Sequence, residues 1–249
     1  MVYNCGAHVM KKNLLLLSAF AMTFFCGCSK WAGDPITETF SVDGTYTELV
    51  VEDAFDVTVS DEVSRVTVTA GNNIMPKVRV EKDGNTLNIY LKGWTVSHGD
   101  MKVLLPYNPD LKSVELSGAS DFHSDFALTG PEVEIEASGA SNFYGIVNAD
   151  ELELNLSGAS DATIEGQVAK LDMHISGSSD LKQKIVDRHY SLVCDQCECS
   201  ISGSSDAFIH CDGTISGSVS GSSRLHFTGT AFTGDCSTSG SSSIKHDVF

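Results

Sequence analysis

The chain has 249 residues, with 16 Lys and Arg against 33 Asp and Glu, a formal net charge of −17 and 41% hydrophobic residues. That length carries a sizeable core, the apolar share excludes wholesale disorder, and the charge repels phosphate backbones and anionic headgroups, which excludes nucleic acid as a partner. Five prolines and 22 glycines exclude a collagen-like or linker chain.

Lys11 and Lys12 precede an apolar run, Leu14 to Phe25. The run is too short for a membrane-spanning helix of roughly 20 residues and has the form of a secretory h-region. Met10, directly before the lysines, is a better start than Met1. Phe25-Cys26-Gly27-Cys28-Ser29 resembles a bacterial lipobox, with small Gly27 before Cys28, although Phe25 stands where Leu is usual. Residues 1–28 are therefore read as a signal peptide, with Cys28 as the acylated mature N-terminus; a plain cleaved signal is the alternative. Residues 29–38 read as a tether, and Ser29 favours the outer membrane over the inner. Removing the leader takes away two lysines and no acidic residue, so lipid and not charge holds the body to a membrane.

From residue 39 the pattern is β. Val50-Val51, Val57-Thr-Val59, Val66-Thr-Val68, Val78-Arg-Val80 and Leu87-Asn-Ile89-Tyr-Leu91 alternate, and Lys82-Asp83-Gly84-Asn85 is a turn between two of them. Residues 39–110 are expected to form irregular early rungs or an antiparallel cap over an open sheet end. Asn108-Pro109-Asp110 marks the transition to a regular region, 111–249.

That region holds one motif seven times, beginning at Ser117, Ser138, Ser157, Ser176, Ser202, Ser220 and Ser239, with spacings of 21, 19, 19, 26, 18 and 19. It reads Ser-Gly-Ala/Ser-Ser followed by Asp121, Asn142, Asp161, Asp180, Asp206, Arg224 or Ser243. Before each Ser the residues alternate, as in Val133-x-Ile135-x-Ala137 and Leu152-x-Leu154-x-Leu156, so every unit contains a half-buried strand. A second apolar position follows each motif: Phe122, Phe143, Ala162, Leu181, Ala207, Leu225 and Ile244. A unit with two or three strands of four or five residues cannot bury its own apolar face; stacking identical units at about 4.8 Å does. The expected fold is all-β: a single-stranded parallel β-helix or solenoid, right-handed, of about 19 residues per rung, with an insertion near 182–197. No proline follows Pro131, as ladders of backbone donors require. At each corner Gly supplies the positive φ, the third residue is small enough to point inward, and Ser and Asp bond nearby amides.

Phe55-Asp56-Val57-Thr58-Val59, Asp83-Gly84-Asn85-Thr86-Leu87-Asn88-Ile89 and the Leu116-Ser117-Gly118-Ala119-Ser120-Asp121 corners together resemble the putative auto-transporter adhesin, head GIN domain family, over roughly 39–245. The resemblance implies an exported β-helical lipoprotein with an adhesin role and brings no catalytic residues. The cysteines between 194 and 236 lie outside the family's pattern.

Three chemistries remain to weigh. The column Asp121, Asn142, Asp161, Asp180, Asp206 is first a structural corner; stacked carboxylates repel, and Ca²⁺ would relieve them, but the motif is not the nonapeptide of calcium-binding β-rolls. Neighbouring carboxyls would also meet the spacing of a glycosidase pair, yet a repeated Asp marks repetition, and a lyase would need bases that only Arg224 interrupts the column to offer. Cys194, Cys197, Cys199, Cys211 and Cys236 are expected as buried small hydrophobes. Cys194-Asp-Gln-Cys197-Glu-Cys199 lacks a second pair for zinc, and Cys199 and Cys236 stand two rungs apart. Cys194 and Cys211 fall eight and nine residues before successive corners, which leaves an inter-rung disulfide open. The histidines show no metal-ligand spacing. The reading is a non-catalytic outer-membrane lipoprotein facing periplasm or cell surface. It presents a repetitive acidic, hydroxyl-rich surface, with Tyr144 and Tyr190 exposed, to glycan or protein. The alternatives are a carbohydrate-active β-helix enzyme and a structural envelope protein. No cofactor is required.

Overall fold

A computed structural model describes residues 33–93 and 99–249; residues 1–28, read as the leader with Cys28, and residues 29–32 of the tether lie outside them. The chain is all-β, with one helical turn, a 3₁₀ turn at Met75–Lys77, among the described residues. It enters the fold earlier than the tether reading placed it: β1 (Pro35–Phe40) pairs antiparallel with β4 (Val66–Gly71). Between them lie β2 (Glu48–Val51) and β3 (Phe55–Ser60). β5 (Val78–Asp83) and β6 (Thr86–Leu91) form a hairpin whose turn carries Gly84 at φ 58°, as the sequence implied. β7 (Met101–Pro106) pairs parallel with β3 and antiparallel with β4.

From β8 (Ser113–Leu116) onward each copy of the repeat lies against the next in parallel register. β9 (Asp121–Ala137), β10 (Asn142–Leu156) and β11 (Asp161–Ile175) are 15 to 17 residues long, and pair like with like: Phe122 with Phe143 with Ala162, and Ala137 with Leu156 with Ile175. The ladder therefore runs through the bends, where short separate strands were expected. In β10, Phe143 and Val147 point inward, and so do Leu152, Leu154 and Leu156. The phase of alternation changes between the two sets. Asp150 and Pro131, at equivalent places, are skipped by the pairing, so the missing donor of Pro131 breaks no ladder bond.

The insertion is narrower than the sequence reading drew it. After β12 (Asp180–Lys182) it comprises residues 183–191, with a small hairpin of β13 (Ile185–Val186) and β14 (His189–Tyr190) turning on Asp187 and Arg188, both at positive φ. β15 (Leu192–Ile201) and β16 (Asp206–Val219) resume the parallel order. Because the insertion splits one repeat, β11, β12, β16 and β15 pair in a closed ring of four. β17 (Arg224–Thr228), β18 (Phe232–Thr238) and β19 (Ser243–His246) complete the chain, with β18 on β16 and β19 on β17.

The corners differ from expectation in one residue. The third motif residue, Ala119, Ala140 or Ala159, is exposed. The inward one is the fourth, and Ser120, Ser141, Ser160, Ser179, Ser205 and Ser223 are all 0% exposed. A buried hydroxyl needs a partner, and for all of these but Ser120 the neighbouring structure supplies one. The Ser141 Oγ accepts from the Ser120 N–H at 3.3 Å, that of Ser160 from Ser141 at 3.3 Å, and that of Ser179 from Ser160 at 3.2 Å. The glycine is fixed twice over. Gly139 has φ +78°, and a Cβ there would lie 2.3 Å from the Gly118 carbonyl oxygen.

Candidate functional site

The corner column is brought together as the sequence implied, and it starts one copy earlier. Asp56 pairs in register with Asp121, ahead of Asn142, Asp161 and Asp180. No Ser-Gly announces it; its only sequence signal is the alternation of Phe55, Val57 and Val59. Much of the column's bonding capacity is spent internally. Asp121 Oδ1 accepts from the Asn142 amide at 2.7 Å, Asp161 Oδ1 from the Asp180 N–H at 3.2 Å, and Asp180 Oδ1 from the Asp206 N–H at 2.8 Å. Lys182 Nζ lies 2.5 Å from Asp161 Oδ2 and Arg224 lies 3.6 Å from Asp206 Oδ2. The hydrogen bond to Asp161 holds the Lys182 ammonium above its usual pKa. Stacked carboxylates are thus relieved by an amide, a lysine and an arginine. Among the described residues no group of three or more His, Cys, Asp and Glu is arranged to hold a metal ion.

Two residues further along each copy a second outward column runs beside the first. His123 pairs with Tyr144 and Tyr144 with Thr163, and past the insertion Phe208 pairs with His226 and His226 with Lys245. Tyr144 is 42% exposed. The His123 and Tyr144 rings lie 6.4 Å apart, and Phe208 stacks on His226 at 4.9 Å. Alternation places both columns on the same outer face, so rings and carboxylates stand side by side.

A different face carries the acidity. Glu134, Glu153, Asp172 and Glu198 follow one another in register, flanked by Glu115 and Glu136. Burial, and then the charges of Glu136, Glu52 and Glu134, raise the Glu115 carboxyl.

One cluster escaped the sequence reading. Tyr190, expected exposed, is only 6% exposed. Its hydroxyl donates to Asp247 Oδ2 at 2.7 Å, where His226 Nδ1 also lies at 2.8 Å, and Lys245 Nζ sits 2.9 Å from Oδ1. Burial alone would raise the Asp247 carboxyl, but the bonds from Tyr190, Lys245 and His226 pull it down to about 2. Burial first, then the bond to Asp247, raises the Tyr190 phenol. Nearby, His210 reaches Thr228 Oγ1 at 2.9 Å and Asp212 at 3.2 Å. Tyr190 belongs to the insertion and Asp247 follows the last repeat, so neither belongs to the motif that made the rest visible.

Cys194, Cys197, Cys199 and Cys211 are buried, and Cys236 is partly so. Cys199 and Cys236 both pair with Gly217, from opposite sides, two copies apart as expected.

The fold has solved counterparts. A crystal structure described as a putative adhesin from Bacteroides fragilis superposes with a TM-score of 0.75 at 20% identity, covering 87% of this chain and 99% of that one. A putative adhesin from Parabacteroides distasonis gives 0.64 at 22% identity, covering 86% and 98%. A protein from the same organism described as a putative lipid binding protein gives 0.60 at 19% identity, covering 86% and 97%. At these identities the likeness is one of fold. No curated protein matches the chain. Residues 45–231 match the model of a sequence family, and the chain belongs to that family, described as putative auto-transporter adhesin, head GIN domain.

Proposed function

We propose that this chain is an exported, lipid-anchored binding module of the cell envelope with no catalytic role. Its parallel copies wind as a right-handed β-solenoid of about one copy per rung, and the outer surface of that solenoid meets a glycan. The observation that carries the reading is the pair of neighbouring outward columns. Asp121, Asn142 and Asp161 offer carboxylate and amide oxygens and nitrogens beside His123 and Tyr144. A sugar presents an apolar ring face and a rim of hydroxyls, and aromatic side chains with a few fixed polar groups suit both. Repetition along the ladder makes weak contacts additive through multivalency. The acidic face, Glu134 to Glu198, disfavours anionic polysaccharides and anionic lipid surfaces. Anchoring falls to Cys28, which leaves the columns free to face outward.

The test is a glycan array probed with the chain lacking its leader, followed by the same array with Tyr144→Ala and His123→Ala. Binding that weakens several-fold in both variants, with no sugar released, is expected; release of cleaved sugar would replace this reading with the enzyme. Cys28→Ala is expected to move the chain from the membrane fraction to the soluble envelope fraction.

A further inference from the structure

We propose that Cys194 and Cys211 close into a disulfide that staples the first two copies after the insertion. The two residues are direct register partners on the parallel strands β15 and β16. Both are 0% exposed. Paired strands lie about 4.8 Å apart, inside the Cα separation of about 4.4–6.8 Å that a disulfide spans. The other close thiols fit less well. Cys197 and Cys199 are alternate residues of one strand, about 6.6 Å apart, at the far limit of that span. Cys197 faces Ile215, and Gly217 separates Cys199 from Cys236.

The position gives the bond a purpose. The insertion interrupts the ladder here: β12 joins β16 through the single pair Leu181 with Ala207. A covalent link between β15 and β16 adds a fixed point beside that interruption, on the strand that directly follows the insertion.

The chemistry is exchange with the disulfide of an envelope dithiol oxidoreductase, or with oxidised glutathione in vitro, while the thiols are still reachable. The thiolate of one cysteine attacks the oxidant's disulfide and releases one of its sulfurs as a thiol. The second cysteine then attacks the mixed disulfide and releases the other. Both thiol protons end on the reduced oxidant, and the protein gains one S–S bond.

In the cell the bond rests on the exported location proposed above, whereas the pairing does not, so refolding tests the pairing by itself. The reduced chain lacking its leader is refolded in a glutathione redox buffer, trapped with an alkylating agent and cut on the amino side of Asp. Cleavage before Asp187, Asp195, Asp206 and Asp212 places Cys194, the Cys197–Cys199 pair and Cys211 on separate peptides. The expected product is peptide 187–194 linked to peptide 206–211. Reductant then lowers the thermal midpoint by about 5–10 °C. Cys194→Ser abolishes both the link and the reductant effect, and the double variant Cys197→Ser, Cys199→Ser keeps both. Alkylated Cys194 and Cys211, or a link from either to peptide 195–205, overturns the proposal. A link formed on refolding but missing from chain isolated from the envelope leaves the pairing standing and refutes the exported location.

Discussion

The corner at Asp53 and the corner at Gly118 do the same work with different chemistry. Gly118 stacks on Asp53, with the Ala119 N–H bonding the Asp53 carbonyl at 2.7 Å, and the next corners repeat that bond: Ala140 to Gly118 at 2.8 Å and Ala159 to Gly139 at 2.8 Å. Each regular corner has a neighbour so close that a Cβ does not fit, whereas Asp53 keeps its side chain at φ 71° and uses it to accept the Leu91 N–H at 2.7 Å. The regions around the corners differ in the same sense. The N-terminal strands β1 and β5 are antiparallel to their neighbours, while the copies from β8 onward add in parallel. Growth by identical copies demands identical corners. The region that ends the ladder is released from that demand and spends the freedom on antiparallel strands that cover the edge.

The largest effect expected from breaking this comparison is at the glycines. Gly139→Ala must tolerate φ +78° and a Cβ 2.3 Å from backbone oxygen, and is expected to cost about 3 kcal/mol or more. Thermal unfolding of the variant then falls by about 6–12 °C. Asp53→Gly removes one hydrogen bond and one strained φ together, so its midpoint is expected to move by less than about 3 °C. Equal losses at the two sites would mean that stacking distance is not what selects glycine.

The buried serines sharpen the contrast. Ser160 Oγ accepts the Ser141 N–H, so Ser160→Ala leaves a buried donor unmatched and is expected to cost about 1–2 kcal/mol. Ser120 directly precedes Asp121, which pairs with Asp56 at the border of the two regions, and its buried hydroxyl has no partner among the described residues. Ser120→Ala is therefore expected to be neutral or stabilising by a few tenths of a kcal/mol. Denaturant midpoints of the two variants, moving in different amounts or directions, check the register argument.

What the sequence made legible follows the same division. Leu116, Leu156 and Ile175, the corner column and the Lys82–Asn85 turn were readable because repetition or period-two alternation restates each position several times. Asp53 was not, since a corner built on a carboxylate bond to Leu91 has no local signature. Nor was the inward serine: in Ser-Gly-Ala-Ser the two candidates for the inside are adjacent small residues, and only the buried N–H to Oγ ladder decides between them. Tyr190 and Asp247 are 57 residues apart, and neither occupies a repeated position, so their meeting is purely tertiary.

That cluster supplies a pH test of the irregular parts against the regular ones. A carboxylate ionises near 3.9 in an unfolded chain, and Asp247 is held at about 2 in the folded one. The folded state therefore binds fewer protons than the unfolded state. The stabilisation is complete above about pH 4 and is lost as pH falls toward 2. Asp247→Asn is expected to cost about 1 kcal/mol at pH 7 and to flatten the stability profile between pH 4 and 2. Hydrogen exchange at Tyr190 and His226 should rise while that at Leu154 and Ile175 stays fixed, because only the former depend on the Asp247 carboxylate.

The smallest destabilisation is expected at the column itself. Lys182 is 53% exposed and its partner Asp161 is 25% exposed, so water and salt weaken their attraction, and Lys182→Ala is expected to cost about 0.5 kcal/mol or less at physiological ionic strength. The value of the measurement lies in its salt dependence. If Lys182 relieves repulsion between Asp161 and Asp180, the variant's deficit should shrink toward zero in 1 M salt, where the screening length falls to about 3 Å. A deficit unchanged by salt would assign the lysine's contribution to packing of its methylene stem. The column would then be a structural corner whose charges are indifferent to one another, and its acidic oxygens would be the more available to a partner.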